Sequence, residues 1–454
     1  PWPIKIIHTL ISQEAVKYGF RWHGVLFMKS KITRNGGIAL LLLRNRFLAC
    51  LCLVLVSFGV YGQESEADTL GPGEYPFIIY GADTLVNPGH LQAFFDKLLK
   101  LENGDSSQLS ILHIGDSHIQ ADFLTRQVRT QFQQHFGNAG RGLVFPLRVA
   151  GTNEPTDYRS ATNVDWATGK IVGQNRDPEP GVSGITVRTS QSGAYIDITT
   201  MNHDDLDYAF DQVTLIHTKD SLQFDCRITD SELKFGYLMS AADTENGICQ
   251  TWVPFTKPTN FVRIQAEQTS ESQQSATVNG IILKNSKPGI LYHSVGINGA
   301  HFSDYNTSPL FFAQLNTLNP DLVIISLGTN EGANIKITVD EVVASVSTMV
   351  QKIRSLNPGA CILITTPVDD FYRKKYKNPY LEAVQRALKQ SAAAENVACW
   401  DMYTVGGGFG SCTAWRKAGL MQSDGVHFTK PGYALQGDLL YNALMDGYRK
   451  YAAN

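Results

Sequence analysis

Four short stretches of this chain carry residues whose types and spacing suit acyl transfer. In the first, the apolar run Leu109 to Ile114 ends abruptly at Gly115-Asp116-Ser117-His118, and Ser117 is the candidate nucleophile. A serine hydroxyl needs a base to attack a carbonyl. Near the C-terminus, Ser423-Asp424-Gly-Val-His427 places a histidine three residues after a carboxylate. In such a turn Asp424 can hold the Nδ1–H of His427 and leave Nε2 for Ser117. The oxyanion that forms also needs fixed donors. Ser294-Val-Gly-Ile-Asn-Gly299-Ala offers the Gly299 N–H, and Ser326-Leu-Gly-Thr-Asn330-Glu offers the Asn330 side-chain amide. An Asp-Ser pair alone is an ordinary helix cap. The catalytic reading rests on the other three parts being present.

These residues need elements that bring them together. Each of the Ser117, Gly299 and Asn330 stretches comes after an apolar run of strand type, and α/β sheets bind ligands beyond the carboxyl ends of such strands. Around them the pattern alternates. His90 to Leu101 reads as a helix with Leu91, Phe94, Phe95, Leu98 and Leu99 on one face, and Ile119 to Phe136 reads as another. After Gly299 come a helix over 311–318, a strand over 321–327, a helix over 339–356, a strand over 360–367, a helix over 379–394 and a strand over 397–403. A closing helix begins near Thr429 and Pro431. This βαβ order predicts a parallel sheet covered by helices on both faces. The absence of a Gly-x-Ser-x-Gly elbow disfavours the ordinary α/β-hydrolase fold.

The four stretches, taken in order, resemble the four motif blocks of the SGNH (GDSL-type) esterase superfamily. The resemblance implies Ser117 as nucleophile, Asp424 and His427 as acid and base, and Ser117, Gly299 and Asn330 as the oxyanion hole. It departs from the short pattern at His118, where leucine often stands, and at Glu331, where aspartate often comes next. Gly-Asp-Ser-His followed by Ile-Gln-Ala-Asp is similar to the branch that contains bacterial peptidoglycan O-acetylesterases. The implied fold is a flavodoxin-like three-layer α/β sandwich with parallel strand order 2-1-3-4-5. The implied activity is removal of O-acetyl groups from a glycan such as peptidoglycan, without a cofactor or metal. A lipase or lysophospholipase, and a polysaccharide O-acetyltransferase, are alternatives on the same scaffold.

Between Ser117 and Gly299 lies a stretch the size of a domain. Residues 141–288 are rich in Thr, Ser, Gly, Asn and Asp, with short alternating segments such as Ala194 to Thr199 and Phe261 to Gln265. They predict an inserted antiparallel β-sandwich, and the resemblance makes it akin to carbohydrate-binding modules. Trp166, Tyr195, Tyr237 and Trp252 are its candidates for stacking on a sugar. The hydrolase domain is then split into 89–140 and 289–454.

Ahead of it, 63–88 reads as an acidic linker and 1–62 as an upstream segment with an export signal. Met28 opens a basic region, Phe47 to Val60 forms an apolar core, and Val60-Tyr-Gly62 has the small-residue cleavage pattern. The core is short of the ~20 residues a membrane span needs. A periplasmic or secreted protein starting near Gln63 is expected, with membrane contact only through an uncleaved signal. At 43% hydrophobic and 18% charged the chain is globular in composition. A net charge of −3 with no dense basic run excludes a nucleic-acid footprint. No metal-type ligand spacing appears, and His113 and His293 read as satisfied core histidines. In an oxidising compartment Cys226 with Cys249, or Cys399 with Cys412, are candidate disulfides.

Overall fold

The computed structural model describes residues 75–453, except 175, 219, 233–235, 240–247 and 335. The export signal and residues 63–74 lie outside the described residues.

Five parallel strands form the central sheet: β1 (Gln108–Gly115), β2 (Gly289–Gly296), β3 (Leu322–Ser326), β4 (Cys361–Thr365) and β5 (Ala398–Trp400). They lie in the order β2-β1-β3-β4-β5. Their side chains are buried on both faces, which is why the strands read as continuous apolar runs. Leu109 and Ile111 of β1 pack on one side with the helices Gln92–Glu102, Phe123–Phe136 and Lys430–Ala452. Leu112 and Ile114 pack on the other with Pro309–Leu315, Val339–Leu356 and Leu381–Ala394. The register aligns Gly115 of β1 with Gly296 of β2 and Ser326 of β3. The loops at the ends of these three strands therefore leave the sheet side by side.

Residues 75–88, assigned by composition to a linker, are instead packed. Leu85–Val86 pairs antiparallel with β5 at the sheet edge, and the Trp400 indole donates to Asp83 at 2.9 Å. The helix expected over 119–136 is broken into Ser117–Gln120 and Phe123–Phe136. Asp122 between them takes the left-handed conformation, φ 58°, which aspartate tolerates better than most residues. Its carboxylate sits among Arg129, Arg141 and Thr125, all buried. Burial alone would raise its pKa, but the two guanidinium groups hold it well below the usual carboxylate range.

Between β1 and β2 the chain forms three antiparallel sheets. One joins Gly236–Met239, Asp225–Thr229, Phe261–Glu267, Tyr195–Thr200 and Tyr158–Thr162; a second joins Ile248–Thr259, Phe210–Thr218, Gly280–Lys284 and Gly142–Val144. The third joins Ala276–Val278, Ile185–Thr189 and Ala167–Lys170. Apart from a small cluster of Phe224, Ala266 and Ala276, their apolar side chains do not make a separate core. Ile196, Val213, Val262 and Leu283 belong to the same contiguous cluster as Leu112 and Ile114 of β1. Asp157 of this segment also pairs with Arg129 and Arg141, tying it to the helix after Ser117.

The candidate Cys399–Cys412 bridge is not formed, and both are free thiols. They belong to different core clusters, Cys399 with Leu112 and Cys412 with Leu109, so the sheet stands between them. The side chain of Cys249 lies outside the described residues.

Candidate active site

Ser117 opens the one-turn helix Ser117–Gln120 directly beyond β1, and Asp116 caps that helix by accepting the His118 N–H at 2.9 Å. His427 stands in the turn before the closing helix. Its Nδ1 lies 2.8 Å from Asp424 Oδ2, and its Nε2 lies 2.9 Å from Ser117 Oγ. A carboxylate only accepts, so Nδ1 carries the ring proton and Nε2 is left to accept from the serine hydroxyl. The other Asp424 oxygen accepts the N–H groups of Val426 and His427, each at 3.0 Å. Against the raising effect of burial, these bonds and the imidazole hold Asp424 below its ordinary pKa. The arrangement can pass the Ser117 proton to His427 while Asp424 fixes the tautomer.

Gly299 and Asn330 border the same cleft, a space of about 400 Å³ that also touches Ser117 and His427. Gly299 has φ +79°, a left-handed conformation in which a side chain would be strained. Gly296 is required for another reason: a Cβ there would lie 2.1 Å from the Gln120 nitrogen, so only glycine lets β2 approach the Ser117 helix. One amide hydrogen of Asn330 is used by the Ala300 carbonyl at 3.0 Å, and Asp116 Oδ2 is the next acceptor at 3.5 Å. The first bond orients the amide; the second is at the limit of a hydrogen bond. Glu331 accepts the Phe302 N–H at 2.8 Å, which links the Asn330 loop to the Gly299 loop.

The sequence did not show the roles of several residues around this site. Gln120 accepts the Asn298 N–H at 2.7 Å and donates to Thr152 at 2.6 Å, holding the Gly299 loop and the start of the inserted segment against the Ser117 helix. His118 bonds Tyr433 through Nδ1 at 3.0 Å, and its ring lies 5.3 Å from that of His427. Desolvation, then the neighbouring His427, push His118 down to about 3, so it stays neutral behind the base. Burial, with Glu331 adding to it, pushes Asp116 up to about 7. The adjacency of Asp116 and His118 to Ser117 was the available signal; the reach of Gln120 was not readable.

Other expectations resolve differently. His113 is a satisfied core histidine, bonded to Tyr292 at 2.7 Å and Ser326 at 2.6 Å. His293 is only half satisfied: Nδ1 accepts the Leu143 N–H at 3.0 Å, and Nε2 has no partner among the described residues. Among the candidate stacking residues, Trp166 is buried and the face of Tyr195 is covered by Arg263 at 3.7 Å. Trp252 is exposed, and the side chain of Tyr237 lies outside the described residues.

Residues 276–435 match the model of the GDSL-like lipase/acylhydrolase family. The match and the fold support a carboxylic ester hydrolase of SGNH type. It resembles a solved peptidoglycan O-acetylesterase, with a TM-score of 0.69 and 24% identity over 81% of this chain and 99% of that one. An acetyl-xylooligosaccharide esterase from Geobacillus Stearmophilus aligns at a TM-score of 0.27 and 20% identity, covering 34% of this chain and 73% of that one. A salicylyl-acyltransferase from a tetracycline biosynthetic pathway aligns at a TM-score of 0.26 and 12% identity, covering 62% and 95%. No curated protein sequence matches. Among the described residues no helix is long and apolar enough to cross a membrane.

Proposed function

We propose that this protein is an exported, periplasmic or secreted, esterase that removes O-acetyl groups from a glycan, peptidoglycan first among candidates, through an acyl-enzyme on Ser117. His427 Nε2 takes the Ser117 proton as Oγ attacks the acetyl carbonyl. The N–H groups of Ser117 and Gly299 and the Asn330 amide receive the oxyanion. When the intermediate collapses, His427 returns the proton to the departing sugar oxygen, and water then releases acetate by the same steps in reverse roles. Asp424 keeps the imidazole in the tautomer this needs.

The observation that carries the reading is the continuous relay Asp424–His427–Ser117, at 2.8 and 2.9 Å, opening on a cleft edged with amides. Asn153, Asn298, Asn330 and Gln422 line that cleft alongside Phe123 and Tyr433. Amides suit a hydroxyl-rich substrate better than a long alkyl chain. Asn153 comes from residues 141–288, which supports a role for this inserted segment, read as a β-sandwich akin to carbohydrate-binding modules, in presenting the glycan.

The test is released acetate. Purified protein is given aryl esters of increasing chain length, then acetylated peptidoglycan and acetylated xylan. Short-chain preference with acetate from peptidoglycan is expected. Preference for chains of about eight carbons or more would replace this reading with a lipase, and transfer of acetyl to an added sugar in place of water would replace it with a transferase.

A further inference from the structure

The cleft at Ser117 occupies the Gly115 end of β1. A second cavity, of about 430 Å³, lies at the other end of that strand, bordered by Gln108 and Ser110. This volume falls within the usual range of small-ligand sites. One wall is the four-stranded sheet of the inserted segment, whose side chains alternate between faces. Val213, Leu215, Val253, Ile281 and Leu283 take the core side and are fully buried. Trp252, Thr214 and Ile282, aligned across three neighbouring strands, take the cavity side with Gln250 and Lys284.

Two features of this cavity are not explained by folding. Trp252 is 55% exposed, although its indole N–H is held by Gln212 at 3.3 Å, so a large apolar ring is kept in place facing solvent. Across from it, His293 of β2 is completely buried and lines the cavity. Its Nδ1 accepts the Leu143 N–H, so the proton of the neutral ring is on Nε2, which has no partner among the described residues. Burial, then Arg141 and Lys284, push His293 down to about 3, so this N–H is a permanent donor. Buried donors without acceptors are rare in native proteins, and the ring that carries this one lines the cavity.

Among the described residues the lining contains no carboxylate, and its one charged group is Lys284. An oriented aromatic face ringed by amide and hydroxyl groups is the chemistry that recognises a sugar: the ring stacks on the C–H face and the polar groups meet the hydroxyls. We propose that this cavity is a second glycan site, separate from the catalytic cleft, holding a saccharide segment that is neutral or carries a carboxylate near Lys284. The two linings share no residue, and along β1 the cavity reaches only as far as His293, which pairs with Leu112 three residues, or about 10 Å, short of Gly115. The sugar held here is therefore not the one that loses its acetyl group. Occupancy tethers the polymer and raises the local concentration of esters at Ser117. The proposal rests on the glycan reading above.

The test uses the full chain carrying Ser117→Ala, so that binding is measured without turnover. The protein is co-sedimented with insoluble peptidoglycan, and in a parallel arm with insoluble acetylated xylan. Adding Trp252→Ala should weaken sedimentation about 10-fold, as loss of an aromatic anchor does. Adding Thr214→Arg, which fills the cavity from its wall, should do the same. With Ser117 restored, both variants should hydrolyse a small aryl acetate as the parent does, which also shows that they fold. Loss of binding confined to xylan would support the site and change the carrier. Unaltered sedimentation on both polymers by both variants would overturn the proposal while leaving the Ser117 chemistry intact. Conversely, undiminished ester hydrolysis by the Ser117→Ala parent would sink the catalytic reading and leave the binding result standing.

Discussion

At the Gly115 end of the central sheet, both ring nitrogens of His427 have protein partners, Asp424 and Ser117; in the middle of β2, opposite Leu112, His293 is more deeply buried yet only one of its nitrogens is answered. The first arrangement is closed within the chain, as a proton relay must be before substrate arrives. The second leaves a buried donor unanswered in a ring that lines a cavity. Both use the same strands. The difference lies in the neighbouring segments: three loops leaving the sheet in register at one end, and the outer face of an antiparallel sheet at the other.

The comparison predicts effects of different size and kind. Replacing Ser117 or His427 by alanine breaks the closed relay, and kcat on any ester should fall by about 10³-fold or more with the melting temperature unchanged. Steady-state kinetics and a thermal melt on the same samples check this; wild-type turnover in either variant would remove the relay from the account. Asn330→Ala should cost roughly 10²-fold in kcat with little change in KM, because a donor to the oxyanion acts in the transition state. A variant that lost stability and not rate would make Asn330 a loop anchor for Ala300. Trp252→Ala, at the open end, should give only its tenfold effect, and only on polymers.

The smallest effect concerns Asp116. Its pKa is about 7 in the fold against 3.8 as a free side chain. Between those values the native state keeps a proton that the unfolded chain has lost, so its contribution to stability is present at low pH and is lost as pH rises from about 4 to about 7. Asp116→Asn should abolish that part of the slope. Melting temperatures of parent and variant across this window should converge toward low pH, and parallel curves would contradict the assignment.

The candidate catalytic parts were legible because each is local: an apolar run, a turn, and one reactive side chain. Ser117 and His427 lie far apart in sequence, but their roles define each other, so order and chemistry sufficed to pair them. The helix break at Ala121–Asp122 was not legible, since Asp122 adopts its conformation among Arg129, Arg141 and, through them, Asp157 of the inserted segment. Cys399 and Cys412 are near in sequence and were a plausible pair until the sheet was seen between them. Composition sent residues 75–88 to a linker because two residues of edge strand, Leu85 and Val86, carry too little periodicity to register. For the aromatics, alternation marks a face but not what covers it: Arg263 hides Tyr195, while Trp252 stays open to solvent.

The central claim is that Ser117 carries the acyl group. Wild-type protein mixed with an aryl acetate, quenched in acid within the first turnover and digested, should show one acetyl group on the peptide containing Ser117. The label should disappear when substrate is exhausted, and should never form in Ser117→Ala. Product release in the first turnover with no acetyl on that peptide, or with the label on another residue, would contradict the account.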